Sequence, residues 1–145
     1  GENAESLAEQ AWEGYRTYSG EDHPSTLEAL LTYARMLGNH GKPEQAERLF
    51  RIAVERSRTE PGVCSAHRAL GNCLAEQSKF EEAEQHLVRS LEGYEKLRGK
   101  GSQRSLGVAA DLLRLYEKGG LPDKAAEVRA LLREAPPKPD SRPGR

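Results

Sequence analysis

Aromatic residues are scarce in this 145-residue sequence, where they make up 6% of the positions, with one Trp and two Phe. A core must therefore be built from Leu, Ala and Val. Long apolar runs are also missing, because no stretch approaches the roughly 20 residues that a membrane-spanning helix needs. The formal net charge is only -1, which removes the electrostatic case for binding nucleic acid or an anionic membrane.

Cysteine is limited to Cys64 and Cys73. On one helix the two thiols would lie about 13 Å apart along the axis, which is too far for a disulfide. We interpret them as small buried residues in a reducing compartment, which favours a cytoplasmic location. The N-terminus has no signal-peptide pattern. Because the sequence begins at Gly1 without Met and inside a helical pattern, we expect either a segment of a longer protein or a residue left by a tag.

A short signal, in which an acidic residue stands two positions before an alanine, occurs four times along the chain. The alanines are Ala4, Ala46, Ala83 and Ala125. Their spacings of 42, 37 and 42 residues form a near-constant period, which is typical of a solenoid of stacked units. A larger side chain would overpack a close helix crossing, so we expect each alanine to lie where the two helices of one unit meet.

Apolar residues at helical spacing lie on both sides of the alanine signals. The pattern predicts seven helices, of which the first has no partner, and it contains no strand-like alternation of useful length. Between the first two helices, Gly20 suits the left-handed conformation just past a helix end, and Pro24 suits the first turn of the next helix. Ser25 and Glu28 have the spacing of a capping box at the start of that second helix.

These residues resemble the tetratricopeptide repeat. The second complete unit follows the family pattern at Leu70, Gly71, Leu74, Phe80, Ala83 and Leu87. The 42-residue period, with the link 20–27 between units, is similar to the kinesin-light-chain type. The resemblance covers about residues 4–133 and implies an all-α, right-handed α-solenoid of antiparallel helix pairs, with three full repeats after an N-terminal half repeat. The sequence departs from the pattern at Ser78, where Gly is usual, at Ser90, where Ala is usual, and near Pro61, where the link is shorter.

The two ends of the array are expected to present different surfaces. The last unit carries Arg129 and Arg133 where earlier units are apolar, and a terminal repeat needs such a polar outer face for solubility. We therefore expect the helical array to occupy residues 1–134 and the Pro-rich tail 135–145 to be disordered.

The first helix should pack on the first complete unit and leave an apolar strip uncovered, because its own partner is missing. Leu7 and Trp12 are the residues that we assign to this strip. They are the candidates for self-association, and a homodimer formed through this helix is an alternative function for the chain.

In arrays of this type, the resemblance implies a concave groove lined by the first helices of successive units. Mapping the repeat pattern onto this sequence gives six candidate peptide-binding residues: Arg35, Asn39, Arg68, Asn72, Arg114 and Lys118. Arg can hold a carboxylate through two parallel hydrogen bonds, so we predict a protein or peptide partner of acidic character. A solvated helix face that happens to hold Arg is the alternative. Asp111, which also maps to the groove, would repel a carboxylate at a clamp formed by Arg68 and Asn72.

Catalytic and metal-binding patterns are missing from the sequence. We find no Gly-rich phosphate loop, nucleophile elbow or zinc-protease motif. His67 lies one helical turn from Cys64, but a pair of ligands without a third is a weak signal for a metal. We therefore predict a non-catalytic protein–protein interaction module, without cofactor or metal, that forms part of a larger signalling or adaptor protein.

Overall fold

The computed structural model describes residues 2–134, which form seven α-helices and no β-strand. In chain order the helices are α1 Glu2–Ser19, α2 Pro24–Asn39, α3 Pro43–Arg56, α4 Glu60–Glu76, α5 Phe80–Arg98, α6 Gln103–Lys118 and α7 Pro122–Glu134. The tail 135–145, which we predicted to be disordered, lies outside the described residues.

The helices stack in the order of the sequence. Each helix packs on the next one along the chain, and the first helices of the complete units, α2, α4 and α6, also contact one another in succession. This translational stacking confirms the predicted all-α solenoid, and the second helices α3, α5 and α7 form its outer layer.

The recurring alanines of the complete units lie in the buried core. Ala46, Ala83 and Ala125 are buried, whereas Ala4 is only partly buried because the described residues include no helix before α1 that could cover it. At the crossing of α4 with α5, a Cβ on Gly71 would lie 2.7 Å from Leu87 Cγ and 3.2 Å from the carbonyl oxygen of Ala83. The backbones approach so closely there that only small residues fit.

In the link between α1 and α2, one helix ends and the next begins at almost the positions that the sequence indicated. Gly20 has a φ of +92°, which is the left-handed conformation expected there. The predicted capping box is wrong, because Pro24 begins α2 and Ser25 already lies inside it. His23 caps the helix instead, since its Nδ1 accepts a hydrogen bond from the backbone N–H of Ser25 at 3.1 Å. Thr26 Oγ1 donates to the Gly20 carbonyl at 2.7 Å and ties the link to the helix.

Ser78 stands in the turn between α4 and α5 with a φ of +62°, where Gly41 has +77° and Gly120 has +70° in the corresponding turns. The left-handed conformation costs a residue with a side chain roughly 1–2 kcal/mol. Glycine avoids this cost, but its greater freedom in the unfolded chain cancels part of the advantage. We therefore expect Ser78→Gly to raise the free energy of unfolding by about 1 kcal/mol in urea titrations. Gly41→Ser is the reverse control and should lower it by a similar amount. A lower stability for Ser78→Gly would contradict the assigned conformation.

Candidate functional site

The first helices α2, α4 and α6 line one side of the solenoid, and two depressions lie on that side. The smaller, which we call the notch, has a volume of about 180 Å³ between α2 and α4. It is lined by Arg35, Gly38, Asn39, Phe50, Ala69, Asn72, Cys73 and Glu76. Its small and apolar residues form a surface for an apolar group, while two amides, one cation and one anion supply polar contacts. Burial raises the pKa of the Cys73 thiol, so this sulfur stays protonated at neutral pH.

The larger depression, which we call the basin, has a volume of about 410 Å³ and lies at the N-terminal ends of α2 and α4. Leu27 and Leu31 of α2 contribute apolar surface, and Arg104 of α6 reaches it from the next unit. Sequence reasoning missed Arg104. The available signal was the position of Arg104 in the first turn of α6. When the units are aligned on their alanines, Arg104 corresponds to Gly62 of α4, which also lines the basin.

Arg35 lines both depressions. It is exposed, and within residues 2–134 it has no hydrogen-bond or ion-pair partner. The neighbouring Arg58 differs, because it also lines the basin but donates to Asp22 Oδ2 at 3.3 Å. Arg35 is thus a cation with its hydrogen-bond donors available to a partner.

Arg68 and Arg114 are held by a carboxylate of the chain itself. Arg68 Nε donates to Asp111 Oδ2 at 2.6 Å, and Arg114 Nη2 donates to Asp111 Oδ1. Asn72 Nδ2 donates to the same Oδ2 at 2.9 Å. The structure therefore brings three predicted groove residues together, but around Asp111.

Lys118 and Asn39 lie at the C-terminal ends of their helices. Lys118 Nζ donates to the carbonyl oxygens of Ala75 at 3.1 Å and Glu76 at 3.5 Å, where a cation favourably interacts with the end of α4. Asn39 lines the notch and has no hydrogen-bond partner within the described part of the chain. Of the six predicted groove residues, Arg35, Asn39 and Asn72 thus share the notch, and Lys118 stands apart from them.

The two self-association candidates have different surroundings on α1. Leu7 is 65% exposed, in agreement with an uncovered strip. Trp12 is half-buried, with its ring 6.1 Å from the ring of Tyr33 on α2 and the Arg16 guanidinium 4.8 Å from its centre. Trp12 therefore contributes to the packing of α1 on α2, whereas Leu7 does not.

His67 of α4 faces His86 of α5 across the unit. Their Nδ1 atoms lie 2.9 Å apart and their rings are stacked. Burial, followed by the charge of the neighbouring ring, lowers the pKa of His67 to about 4, and burial also lowers the pKa of His86. Both rings are thus neutral at pH 7 and serve the contact between the helices. Among residues 2–134, no group of three or more His, Cys, Asp or Glu side chains is arranged to hold a metal.

Two solved structures share this arrangement of helices, and one of them contains kinesin-light-chain repeats. The nearly identical TPR-like repeats of a candidate kinesin light chain from Podosopora anserina match with a TM-score of 0.78 and 21% sequence identity, over 90% of this chain and 64% of that one. BtubC (BKLC) from P. vanneervenii matches with a TM-score of 0.80 and 23% identity, over 90% of this chain and 54% of that one. The chain thus spans less than two thirds of either structure.

A family model of the tetratricopeptide repeat matches residues 66–104, which run from within α4 through α5 to the start of α6. The chain has the tetratricopeptide-repeat fold. This agrees with the resemblance found in the sequence, and tetratricopeptide repeats indicate a protein–protein interaction module. No curated protein matches the sequence significantly. Among residues 2–134, each helix is too short or too polar to cross a membrane.

Proposed function

We propose that the chain is a non-catalytic interaction module that binds an acidic peptide of a partner protein in its groove, with Arg35 as the main anchor. The observation that carries this proposal is the guanidinium of Arg35, which lies between the basin and the notch and has no partner within residues 2–134. Apolar surface from Leu31 and Phe50 beside this cation suits a peptide that carries an apolar side chain next to an acidic one. We further propose that the module serves a larger cytoplasmic signalling or adaptor protein, which the free thiols Cys64 and Cys73 support.

The proposal predicts that Arg35→Glu weakens binding of a fluorescein-labelled hexaglutamate peptide about tenfold, because the anchor then repels the ligand. Fluorescence anisotropy at low and moderate salt measures the affinity, and added salt should weaken the binding by the wild-type chain. Arg35 has no partner in the described chain, so the fold should be unaffected.

Arg48→Glu is the matched control, because Arg48 is an exposed arginine without a partner in the described chain and lies on the second helix α3. It should change the affinity much less than Arg35→Glu does. A hexaglutamine peptide tests whether charge is recognised and should bind weakly. Equal affinities for the two peptides, or for the two arginine variants, would rule out the proposed anchor.

A second candidate function, self-association through α1, is favoured by the uncovered side of that helix. When the units are aligned on Ala4 and Ala83, Tyr15 corresponds to Tyr94 of α5. Tyr94 is 2% exposed, with its hydroxyl 2.9 Å from Ser65 Oγ of α4, whereas Tyr15 is 47% exposed. In a complete unit, a first helix equivalent to α4 would cover this side of α1. In the described chain this side is therefore open to a second copy of the chain.

If two copies pair through α1, the sedimentation coefficient of the wild-type chain should rise with concentration, and Leu7→Glu should abolish the rise. Leu7 is a better probe than Trp12, because a charge at Trp12 would also disturb the packing on α2. Leu131→Glu is the control, since Leu131 is 55% exposed on α7 at the other end. A concentration-independent monomer would exclude this function.

A further inference from the structure

A carboxylate of the chain occupies the hydrogen-bond donors on the part of the groove between α4 and α6. Asp111 is 3% exposed, and it accepts hydrogen bonds from Arg68 and Asn72 of α4 and from Arg114 of α6. Two guanidinium groups and an amide converging on one carboxylate form the arrangement that would also bind a carboxylate of a partner.

The donor set reaches the surface of the groove although Asp111 does not. The side chain of Arg68 is 31% exposed and that of Arg114 is 68% exposed, whereas the side chain of Asp111 is 2% exposed. Asp111 therefore lies beneath the arginines and satisfies them from inside.

Neighbouring positions show that this arrangement is specific to the last unit. When the units are aligned on their alanines, Thr32 and Ala69 stand where α6 has Asp111, so the other first helices place no carboxylate there. Gly107, one turn before Asp111, leaves room for the arginine: a Cβ there would lie 3.0 Å from Arg68 Nη2. Space and charge on α6 thus both accommodate Arg68.

We propose that Asp111 is an internal carboxylate that closes the α4–α6 part of the groove to acidic partners and confines them to the part around Arg35. This inference rests on the proposed function, because it assumes that the groove receives an acidic peptide. It makes Asp111 a specificity-determining residue. An acidic group of the partner can bind Arg68 and Asn72 only by displacing a carboxylate that is already buried and paired.

The first test uses chemical rescue, which needs no peptide. Asp111→Ala removes the carboxylate and leaves a cavity among the three donors. Its unfolding temperature should be lower than that of the wild type, and about 0.1 M sodium formate should raise it more than sodium chloride at the same ionic strength. The wild-type chain should respond equally to both salts. An equal response of Asp111→Ala to formate and chloride would overturn the proposal.

The second test measures fluorescein-labelled hexaglutamate by fluorescence anisotropy. Asp111→Ala should bind it about tenfold more tightly than the wild type, and Asp111→Ala/Arg68→Ala should lose this gain. Glu127→Ala removes an exposed acid on the second helix α7, outside both depressions and the cluster, so it should change the affinity much less. If Asp111→Ala does not fold, Asp111→Asn keeps the side-chain volume and can be used instead. It should also bind hexaglutamate more tightly than the wild type, and adding Arg68→Ala should remove this gain in affinity.

The two proposals fail in different ways. Wild-type binding that does not depend on Arg35 would refute the proposed function. Binding that depends on Arg35 but is unchanged by Asp111→Ala, together with the absence of a formate effect, would refute only the role of Asp111. A gain that survives the removal of Arg68 would also refute that role, because it would reflect net charge alone.

Discussion

Arg68→Glu is expected to lower the free energy of unfolding by about 4 kcal/mol, since breaking a buried ion pair by removing one partner typically costs 3–5 kcal/mol. Asp111 is 3% exposed, and Arg68 Nε donates to it at 2.6 Å. A glutamate in place of Arg68 would remove this hydrogen bond and add a second negative charge against a carboxylate that water barely reaches. The remaining donors, Asn72 and Arg114, compensate only part of the loss.

Thermal unfolding followed by circular dichroism measures this effect, and a fall of roughly 10–15 °C in the unfolding temperature corresponds to it. Arg35→Glu is the matched control, because it makes the same charge reversal on α2 at an arginine without a partner in the described chain. It should shift stability by no more than about 0.5 kcal/mol. Adding Asp111→Asn to Arg68→Glu should recover more than half of the loss. A stable single variant would show that the carboxylate is not buried against Arg68.

Substitutions of Arg68 would change both the stability of the fold and the surface of the groove. Loss of binding in Arg68→Glu would report unfolding of the α4–α6 contact as readily as loss of a ligand contact. Arg35 separates the two effects, because its side chain lines the groove without holding the fold together.

Gly93→Ala is the second large expected effect, with a loss of up to about 2 kcal/mol in the free energy of unfolding. A Cβ on Gly93 would lie 2.3 Å from Cys64 Sγ, and also 2.9 Å from Arg89 Nη1 and 3.1 Å from Glu60 Oε1. Cys64 is fully buried, so the sulfur can move little, and overpacking of this kind costs roughly 1–3 kcal/mol. The better helix propensity of alanine, worth about 1 kcal/mol, offsets only part of this cost.

The chain offers a control at the corresponding position of the N-terminal half repeat. Gly14 follows Ala4 by as many residues as Gly93 follows Ala83, but a Cβ on Gly14 meets no atom within 4 Å. Gly14→Ala should therefore raise stability by up to about 1 kcal/mol, the opposite sign from Gly93→Ala. The double variant Gly93→Ala/Cys64→Ala should recover part of the loss, because it removes the sulfur. Urea unfolding measures all three, and effects of the same sign for the two glycines would contradict the packing of α4 on α5.

The sequence by itself determined the repeat and its helices. The spacing of Ala46, Ala83 and Ala125 reports a local requirement, because each must be small for the helices of its own unit to cross. Apolar periodicity then sets the face that each helix buries. The start of α2 escaped this reasoning, because Ser25 and His23 can both cap a helix and only the backbone around Pro24 decides between them.

The tertiary structure alone decided which groove cations remain available. The resemblance to the tetratricopeptide repeat placed Arg35, Arg68 and Arg114 on the same side of the array, at positions that share one face of their helices. It could not show that Arg68 pairs with Asp111, a residue 43 positions away in the next unit. That pairing depends on how far α6 is displaced along α4, and on Gly107 making room for the guanidinium. Neither property is local, so the distinction between Arg35 and the other arginines exists only in the folded chain.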